Sequence, residues 1–370
     1  MMWSRLNKVA PIAVDVGSAH LRAAQIEKRN GHFVVRHWVS GAVPGRAEPA
    51  PDGQQPDRVE DALPLNLLEA FVGREVVLAI GPPDVEFCAL QVPDALLRGE
   101  RGNLIRGVRH EVGRHIRQPI DSVELDVWPL VAGHRDGCNI MAAAARRDSI
   151  DHLLRVMGTH GYSCSRIDLS PLATLRSCAR MVDGFETEHL WGALDIGRSA
   201  SRLYIGIGET PVYVRCLSSG GDAMTQRIAE ELGVDAATAE RYKRHFGVAA
   251  PDGSYRPMAA LTSDVDEERM ACILLGVLQP ILKGVAVEIE KSFRYAMALY
   301  PDRPVSGLIL AGGSANLEGL SDVFGRMLGI RVQRIRTDRL VALRGDEPGL
   351  PDEAVPGMTT ALGLGMGALA

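Results

Sequence analysis

A five-residue pattern occurs twice in the chain, about half a chain length apart. Residues 13–17 read Ala-Val-Asp-Val-Gly, and residues 193–197 read Ala-Leu-Asp-Ile-Gly. The two aspartates, Asp15 and Asp195, are separated by 180 positions in a chain of 370 residues, and a second strand-like segment directly follows each copy. Each copy has the pattern of a β-hairpin with Asp and Gly at its tip. The repeat therefore predicts a duplicated fold whose two halves open with the same hairpin.

Such a hairpin tip is suited to binding phosphate. Glycine has no Cβ, so the backbone N–H groups of Gly17 and Gly197 can approach phosphate oxygens closely. Hydroxyl donors follow at Ser18 in the first copy and at Ser199 or Ser201 in the second. An aspartate at the end of a buried strand can hold Mg²⁺ through the water shell that this ion retains. Two facing hairpins would clamp a triphosphate from both sides.

A single Asp-x-Gly more often marks an ordinary turn, so either copy alone would carry little weight. The duplication, together with a third glycine-rich turn at residues 311–314 (Ala-Gly-Gly-Ser), favours phosphate binding instead. That third turn lies between a predicted strand, Val305–Leu310, and a predicted helix, Leu317–Leu328. A helix N-terminus at this place would favour a bound anion.

The predicted elements divide the chain into two halves. In the first, strands are predicted at Ile12–Val16, His20–Glu27 and Phe33–Val39, with a hairpin turn at Asn30-Gly31. A helix is predicted at Leu63–Phe71 and a strand at Glu75–Ile80, and residues 84–146 have the pattern of a small α+β unit. The second half has three strands joined by tight turns, followed by helices. Pro280 is expected to kink or split the longest of these, Glu267–Leu299.

Composition excludes several classes of protein. Hydrophobic residues make up 46% and charged residues 24%, values typical of a packed globular chain rather than a disordered one. The net charge of −5 argues against a nucleic-acid-binding surface. No run of 18 uninterrupted apolar residues occurs, and residues 9–14 are too short for a signal-peptide core, so we expect a cytosolic protein without a membrane span. The six cysteines show no metal-site spacing and are expected to be reduced and mostly buried.

The three motifs together resemble those of the actin-like ATPase superfamily. Residues 15–18 (Asp-Val-Gly-Ser) match its first phosphate motif, residues 195–199 its second and residues 310–316 its adenosine motif. Within the superfamily, the chain most resembles the type IV pilus assembly protein PilM family. Further segments that carry this resemblance are residues 15–26, 108–127, 218–244 and 287–295. Arg22 stands where a lysine is usual in that family, and Arg198 is a bulky cation where a small residue is common.

The resemblance implies an α/β, actin-like (ribonuclease H-like duplicated) two-domain fold with a small inserted α+β subdomain. It implies domain I at residues 1–185, with the insertion at about 75–146, and domain II at 186–355, with a helical subdomain at about 222–300. Residues 356–370 would form a C-terminal helix that returns to domain I.

ATP or ADP with Mg²⁺ is the cofactor that the resemblance implies. Asp15 and Asp195 would hold the metal, through water. The implied nucleotide-binding residues are Asp15, Gly17, Ser18, Arg22, Asp195, Gly197, Ser199, Ser201, Gly220, Gly221, Glu240, Lys243, Gly312, Gly313, Ser314 and Asn316. No catalytic residue is assigned, and slow or no ATP hydrolysis is expected.

The function implied is that of a nucleotide-binding scaffold in a pilus or related secretion complex, cytoplasmic and peripheral to the inner membrane. Its partner would be a PilN-like bitopic membrane protein, whose N-terminal tail would enter a groove between the inserted unit, the first strands and Leu63–Phe71. Self-association is also compatible with the fold. Two alternatives stay open: a small-molecule kinase on the same fold, and a filament-forming protein of the FtsA type.

Three groups of charges have competing interpretations. Lys243 either serves the adenosine side or is a solvated charge on a polar helix face. Arg198 either binds phosphate or points to solvent. The arginines in and around the helix predicted at Gly102–Ile116 either form a solvated face or meet an anionic partner; they are Arg98, Arg101, Arg106, Arg109, Arg114 and Arg117.

Overall fold

The structure is a computed structural model that describes residues 8–29, 32–44, 62–181, 188–248, 267–336 and 350–370. The turn predicted at Asn30-Gly31 lies outside these ranges, although the strands on either side pair with Arg29 opposite His32.

The described part of the first half contains strands β1–β9 and helices α1–α4. They are β1 (Lys8–Val9), β2 (Ile12–Val16), β3 (His20–Arg29), β4 (His32–Ala42), a 3-10 helix (Leu65–Ala70), β5 (Glu75–Ile80), β6 (Val85–Leu90), α1 (Asp94–Leu97), α2 (Arg101–His115), a 3-10 turn (Ile120–Ser122), β7 (Val123–Pro129), β8 (Ile140–Arg146), α3 (Arg147–Thr159), β9 (Ser163–Leu169) and α4 (Ser170–Met181).

The described part of the second half contains strands β10–β14 and helices α5–α9. They are β10 (Leu190–Ile196), β11 (Ser201–Ile207), β12 (Thr210–Leu217), α5 (Gly221–Leu232), α6 (Ala236–Phe246), α7 (Glu267–Leu299), β13 (Val305–Ala311), a 3-10 helix (Gly313–Asn316), α8 (Leu320–Leu328), β14 (Val332–Arg334) and α9 (Val355–Ala368).

The two main sheets have the same topology. In the first half the order is β4-β3-β2-β5-β9. The short strand β1 pairs with β3 on the same edge as β2. In the second half the order is β12-β11-β10-β13-β14. In each sheet the first three strands of this order form an antiparallel meander. The last two strands run parallel to the third strand, which is β2 in the first half and β10 in the second. The duplication predicted from the repeated pentapeptide is therefore present in the fold.

Helices α4 and α9 join the halves through one shared core. Buried residues of both helices pack with residues of both main sheets, among them Ile26 and Val35 from the first and Ile309 from the second. The two helices approach so closely that a Cβ on Gly363 would lie 1.8 Å from the carbonyl oxygen of Ala173. Only a residue without a side chain fits at that crossing.

The inserted unit is a three-stranded sheet, β6-β8-β7, covered by α2 through a core that includes Val108 and Ile140. It begins at Val85 rather than near residue 75, because β5 pairs with β2 and β9 in the main sheet. This start agrees with the unit that the sequence pattern predicts at residues 84–146 rather than with the start at about residue 75 that the resemblance implied.

Contacts of the inserted unit reach into the second half. The backbone N–H of Arg135 donates to Leu299 O (2.7 Å), and Trp128 Nε1 donates to Pro211 O (3.4 Å). A cavity of about 270 Å³ does lie beside the 3-10 helix, but no residue of the inserted unit lines it; the lining residues are Leu63, Leu65, Asn66, Glu69, Arg74, His160 and Tyr162. This cavity is therefore not the groove predicted between the inserted unit and Leu63–Phe71, and that groove stays a prediction. Within that segment, Leu65–Ala70 form a 3-10 helix rather than an α-helix.

Helix α7 is continuous through Pro280, so the predicted split does not occur. Among the described helices it is the one long and apolar enough to cross a membrane by length and composition, a test that core helices also pass. Its Leu274, Leu278 and Leu282 are fully buried in the core of the second half.

All six cysteines are free, as predicted, but only Cys178 is buried, and Cys216 is exposed. The prediction that most of them would be buried is wrong.

Candidate functional site

The two repeated hairpins have the same tip geometry. Gly17 N–H donates to His20 O (2.9 Å), and Gly197 N–H donates to Ala200 O (3.0 Å). In each hairpin the aspartate lies directly opposite an arginine: Asp15 opposite Arg22, and Asp195 opposite Arg202. The same tight turn therefore closes both hairpins behind a matching Asp–Arg pair.

The third glycine-rich turn lies against the second hairpin. Gly312 adopts a φ of 82°, and a Cβ there would lie 2.4 Å from Asp195 Oδ1 and 2.6 Å from both Ile196 N and Ile196 O. Gly312 N–H also donates to Pro356 O at the start of α9 (2.7 Å). Glycine is required because both the backbone conformation and the contact distance exclude a side chain.

The start of α5 completes the second hairpin. Gly221 N–H donates to Gly197 O (2.9 Å) and Asp222 N–H to Arg198 O (2.8 Å). A Cβ on Gly220 would lie 2.4 Å from Arg198 O, and one on Gly221 would lie 2.4 Å from Ser314 Oγ. The glycine pair therefore joins the second hairpin to the turn at residues 312–316.

Glu240 and the buried Lys243 form an ion pair beneath the start of α5. Lys243 is 6% exposed, and its Nζ donates to Gly221 O (3.0 Å), to Thr225 Oγ1 (2.7 Å) and to Glu240 Oε2 (2.6 Å). Burial lowers the pKa of Lys243, and Glu240 opposes that shift. The alternative that Lys243 is a solvated surface charge is therefore wrong: its three donors hold α5 against α6 beside Ser314.

The pKa of Glu240 reflects the same ion pair. Burial alone would raise it, but the Lys243 charge and hydrogen bonds from Lys243, Thr225 and Arg244 lower it to about 2. Glu240 is therefore ionised throughout the neutral range, and the pair acts as a fixed electrostatic contact.

Several arginine charges act on the space between the hairpins. The pKa of His20 is lowered to about 4, first by burial and then by the charges of Arg22, Arg244 and Arg198. The Arg22 guanidinium lies at the centre: positions for a Cβ on Gly17, Gly313 and Gly357 are 3.0–3.5 Å from its nitrogens. Arg22 thus extends from the first hairpin to the third glycine turn and α9. Asp222 and Glu240 balance Arg198 and Arg244, so Arg22 is the guanidinium best placed to meet an anionic ligand at the first hairpin.

Asp15 differs from an ordinary surface carboxylate. Burial raises its pKa to about 6, the Asp195 charge adds to the rise, and Arg22 and Arg202 oppose it. The Asp195 charge therefore lies close enough to Asp15 to act on it. Two carboxylates in this position fit Mg²⁺, which uses few protein ligands and keeps several waters. The described residues contain no cluster of three or more His, Cys, Asp or Glu side chains placed to hold a metal ion.

Several predicted residues have partners that change their interpretation. Ser201 is buried and donates its hydroxyl to Ser219 O (2.5 Å), so it holds the loop instead of facing the cleft. Asn316 Nδ2 donates to Glu353 O (2.6 Å), and its Oδ1 accepts from Arg334 (2.8 Å). Both ends of the Asn316 amide are therefore engaged in fixing the turn. Ser18 is half-buried and Ser199 exposed at the two hairpin tips.

Arg198 pairs with Asp222, its Nε lying 2.9 and 3.0 Å from the two carboxylate oxygens. It therefore has a fixed carboxylate partner and does not simply point to solvent.

The arginines in and around α2 are held by their own unit. Five of the six pair with carboxylates: Arg98 with Asp94, Arg101 with Asp126, Arg109 with Asp121, Arg114 with Glu111 and Arg117 with Glu86. Arg106 donates to Asn103. These pairings favour the interpretation as a solvated face.

Arg202 is the site residue that sequence reasoning missed. It follows Asp195 by seven positions, as Arg22 follows Asp15. The signal was therefore visible in the repeat, which reads Asp-Val-Gly-Ser-Ala-His-Leu-Arg in one copy and Asp-Ile-Gly-Arg-Ser-Ala-Ser-Arg in the other.

Comparison with solved structures supports the fold. The chain is similar to a PilM in a PilM-PilN type IV pilus biogenesis complex, with a TM-score of 0.73 and 23% identity over 99% of this chain and 100% of that one. It is also similar to the MamK double helical filament, with a TM-score of 0.51 and 15% identity over 98% and 99% of the two chains. The ethanolamine utilization protein EutJ from Carboxydothermus hydrogenoformans gives a TM-score of 0.50 and 14% identity over 97% and 89%. The fold is thus actin-like, as expected.

Sequence comparison adds two family matches. A curated relative, the cell division protein FtsA of Streptococcus pneumoniae, is 24% identical over 201 residues, which span 50% of this chain and 40% of the relative. The family model of FtsA matches residues 193–363. The family model of the type IV pilus assembly protein PilM matches residues 13–252, about two-thirds of the chain, and includes both phosphate hairpins and the inserted unit. The chain belongs to the type IV pilus assembly protein PilM family.

Proposed function

We propose that this protein is a nucleotide-binding scaffold of a type IV pilus inner-membrane complex. The observation that supports the nucleotide part is the pair of matching hairpins, each with a glycine at its tip and an Asp–Arg pair behind it. We place the division between its two domains in the segment that follows α4, with α9 returning to the first domain.

Each motif would bind a different part of ATP or ADP. The tips at Gly17 and Gly197 offer backbone N–H groups to phosphate oxygens, and Arg22 supplies a guanidinium. Asp15 and Asp195 would hold Mg²⁺ through water, which neutralises phosphate charge. The turn at Gly312–Ser314 and the glycine pair above Lys243 would receive the adenosine. Ser201 and Asn316 act behind this surface as positioning residues.

The scaffold role needs a membrane-bound partner. We propose that the protein lies on the cytoplasmic side of the inner membrane and binds the N-terminal tail of a PilN-type membrane protein. The family membership supports this, as does the inserted unit, because neither hairpin nor the third glycine turn requires it. An extended tail would bind through apolar side chains and main-chain hydrogen bonds.

Membrane recruitment tests the scaffold role. The full chain would be expressed alone, with the PilN-type protein, and with that partner lacking its N-terminal tail, followed by cell fractionation. We expect membrane recruitment only with the intact partner. Equal recruitment without the tail, or firm membrane association of the protein alone, would contradict the proposal.

The rate of ATP turnover separates the scaffold from an enzyme. A scaffold needs a shape that responds to nucleotide rather than fast chemistry, so we expect hydrolysis far below the enzyme median of about 10 per second. Phosphate release measured on the purified chain gives this rate. Rapid transfer of phosphate to a small acceptor would favour a kinase instead.

The FtsA match over residues 193–363 supports one second candidate, a nucleotide-dependent filament. Pelleting with and without Mg-ATP, followed by electron microscopy, distinguishes it. Nucleotide-dependent filaments in the absence of any partner would favour the filament, and a monodisperse protein under both conditions would favour the scaffold. Helix α9 is buried over nearly its whole length, so that helix does not offer a face to a membrane.

A further inference from the structure

The duplicated arginines extend in opposite directions from the two hairpins. Arg22 extends from the first half towards Gly313 and Gly357 of the second. Arg202 extends from the second half into the first, where its Nε donates to Pro82 O (3.2 Å). Each hairpin therefore contributes one guanidinium to the opposite half of the molecule.

Arg202 also lies at the tip of its own hairpin. Its Nη1 is 3.8 Å from Asp195 Oδ2 and 3.7 Å from the position of a Cβ on Gly197. Burial lowers the pKa of Arg202, but its electrostatic interactions with Tyr204, Asp195, Cys216 and Asp15 leave that pKa raised. One guanidinium is thus a counter-ion of the phosphate-site aspartates and a donor to the carbonyl group of Pro82.

Pro82 lies at the root of the inserted unit, between β5 and β6. The chain leaves the main sheet at Ile80 and enters the inserted sheet at Val85. The exit from the unit is tied to the same place, because Arg146 N–H donates to Asp84 O (2.9 Å) and Ser149 Oγ to Asp84 Oδ1 (2.9 Å). We call these two connections, residues 81–84 and 146–149, the neck. Pro82 lies in the first of these connections, and Asp84, two residues on, bonds that connection to the second.

We propose that Arg202 couples nucleotide occupancy to the neck of the inserted unit. This inference rests on the proposed nucleotide function. A phosphate at Gly197 offers the guanidinium charged oxygens, and charge-assisted hydrogen bonds are about twice as strong as neutral ones. The hydrogen bond from Arg202 Nε to the neutral Pro82 carbonyl is the weaker of the two, so a shift of the guanidinium towards the phosphate would break it. Nucleotide binding therefore draws Arg202 towards the phosphate and releases the neck.

The test combines two variants and two measurements on the full chain. Arg202→Gln removes the charge, and Arg202→Lys keeps a point charge without the bidentate geometry. Arg114→Gln is the matched control, because Arg114 makes a surface pair within α2, away from the cleft. Mg-ADP affinity is measured by calorimetry. Hydrogen exchange is followed at the amides of Asp84, bonded to Gly81 O, and of Arg146.

In the wild type and in Arg114→Gln, Mg-ADP should speed exchange at both amides. In Arg202→Gln these amides should exchange quickly with or without nucleotide, and Mg-ADP affinity should fall about 10- to 100-fold. Arg202→Lys should recover part of the affinity but not the slow exchange. A purely structural role would not produce this split between the two measurements.

The outcomes distinguish this inference from the proposed function. Wild-type protein that binds no nucleotide would overturn both. Wild-type binding combined with unchanged affinity in Arg202→Gln and Arg202→Lys would overturn only the role of Arg202. The role of Arg202 would also be overturned if Mg-ADP did not change hydrogen exchange at the neck amides of the wild type. If Arg202→Gln does not fold, Arg202→Lys and the wild-type exchange data decide the question.

Discussion

At the scale of single residues, the site is built from positions that exclude a side chain. Gly312, Gly220 and Gly221 each occupy a place where a Cβ would lie 2.4 Å from an atom of a neighbouring motif. Gly313, next in the same turn, has open space except for the Arg22 guanidinium, 3.5 Å away. Adjacent glycines therefore have different physical roles: one allows packing of the apo protein, and the other leaves room in the cleft.

Gly312→Ala and Gly313→Ala should separate these roles. At Gly312 the positive φ and the contacts with Asp195 and Ile196 oppose a side chain, so we expect a loss of about 2 kcal/mol or more in the free energy of unfolding. Gly313→Ala should change this free energy by less than about 0.5 kcal/mol. Urea denaturation without nucleotide measures both. Equal effects would contradict the close approach of the third turn to the second hairpin.

Asp15 gives the site a defined pH dependence. Its pKa is raised to about 6 in the folded protein, against 3.8 ordinarily, chiefly by burial. Between these values the unfolded chain releases the proton while the folded protein retains it, so this group lowers stability as pH rises through the window. Asp15→Asn should therefore be more stable than the wild type at pH 8 without nucleotide, and the difference should shrink towards pH 4.

Thermal melts at pH 4, 6 and 8 measure this effect. Asp235→Asn is a control of opposite sign, because hydrogen bonds from Thr238 lower the pKa of Asp235 at the start of α6. An Asp15→Asn variant less stable than the wild type at pH 8 would show that the carboxylate is stabilised in the apo protein, contrary to the expected cost of its burial.

At the scale of elements, the sequence predicted what is local and missed what is distant. The hairpins β2–β3 and β10–β11 and their glycine tips follow from short patterns. The short strand β14 was not predicted, and the resemblance placed β5 in the inserted unit although the sequence pattern begins that unit at residue 84. Both strands pair with partners that are distant in the chain. The structural role of Asn316 was missed for the same reason, because its amide bonds to the distant residues Glu353 and Arg334. Arg202 was missed although its spacing from Asp195 is local.

The α4–α9 crossing yields a prediction for whole elements. Gly363→Ala places a Cβ 1.8 Å from Ala173 O, a backbone atom that cannot rotate away, so the helices must separate. The cost, about 2 kcal/mol or more, exceeds the gain in helix propensity of about 1 kcal/mol. Gly284→Ala in α7 is the control, since nothing lies within 4 Å of its Cβ position, and it should be neutral or stabilising. Chemical denaturation that ranks the two variants in the opposite order would contradict the close helix contact.

At the scale of the whole molecule, the two halves are joined by contacts on both sides of the cleft. Helices α4 and α9 share one core with both main sheets. Across the cleft, Arg202 binds Pro82 O, and Tyr204, on the same strand, lies with its hydroxyl 3.4 Å from Ser170 Oγ at the start of α4. The two halves already share one core, and a ligand held by both hairpins would add a further connection between them.

Nucleotide binding should therefore stabilise the molecule as one unit. A ligand that binds only the folded state raises the free energy of unfolding by about 2.7 kcal/mol at a hundredfold excess over its Kd. Calorimetric melting with saturating Mg-ATP should shift the whole transition upward, because each half contributes a hairpin to the site. Asp15→Ala and Gly313→Val should remove the shift, whereas Arg114→Gln, an exposed arginine outside the cleft, should retain it. An unchanged melting temperature of the wild type in saturating Mg-ATP would mean that the protein does not bind this nucleotide. A shift confined to one of two separate transitions would mean that the halves bind and unfold independently, which the shared α4–α9 core argues against.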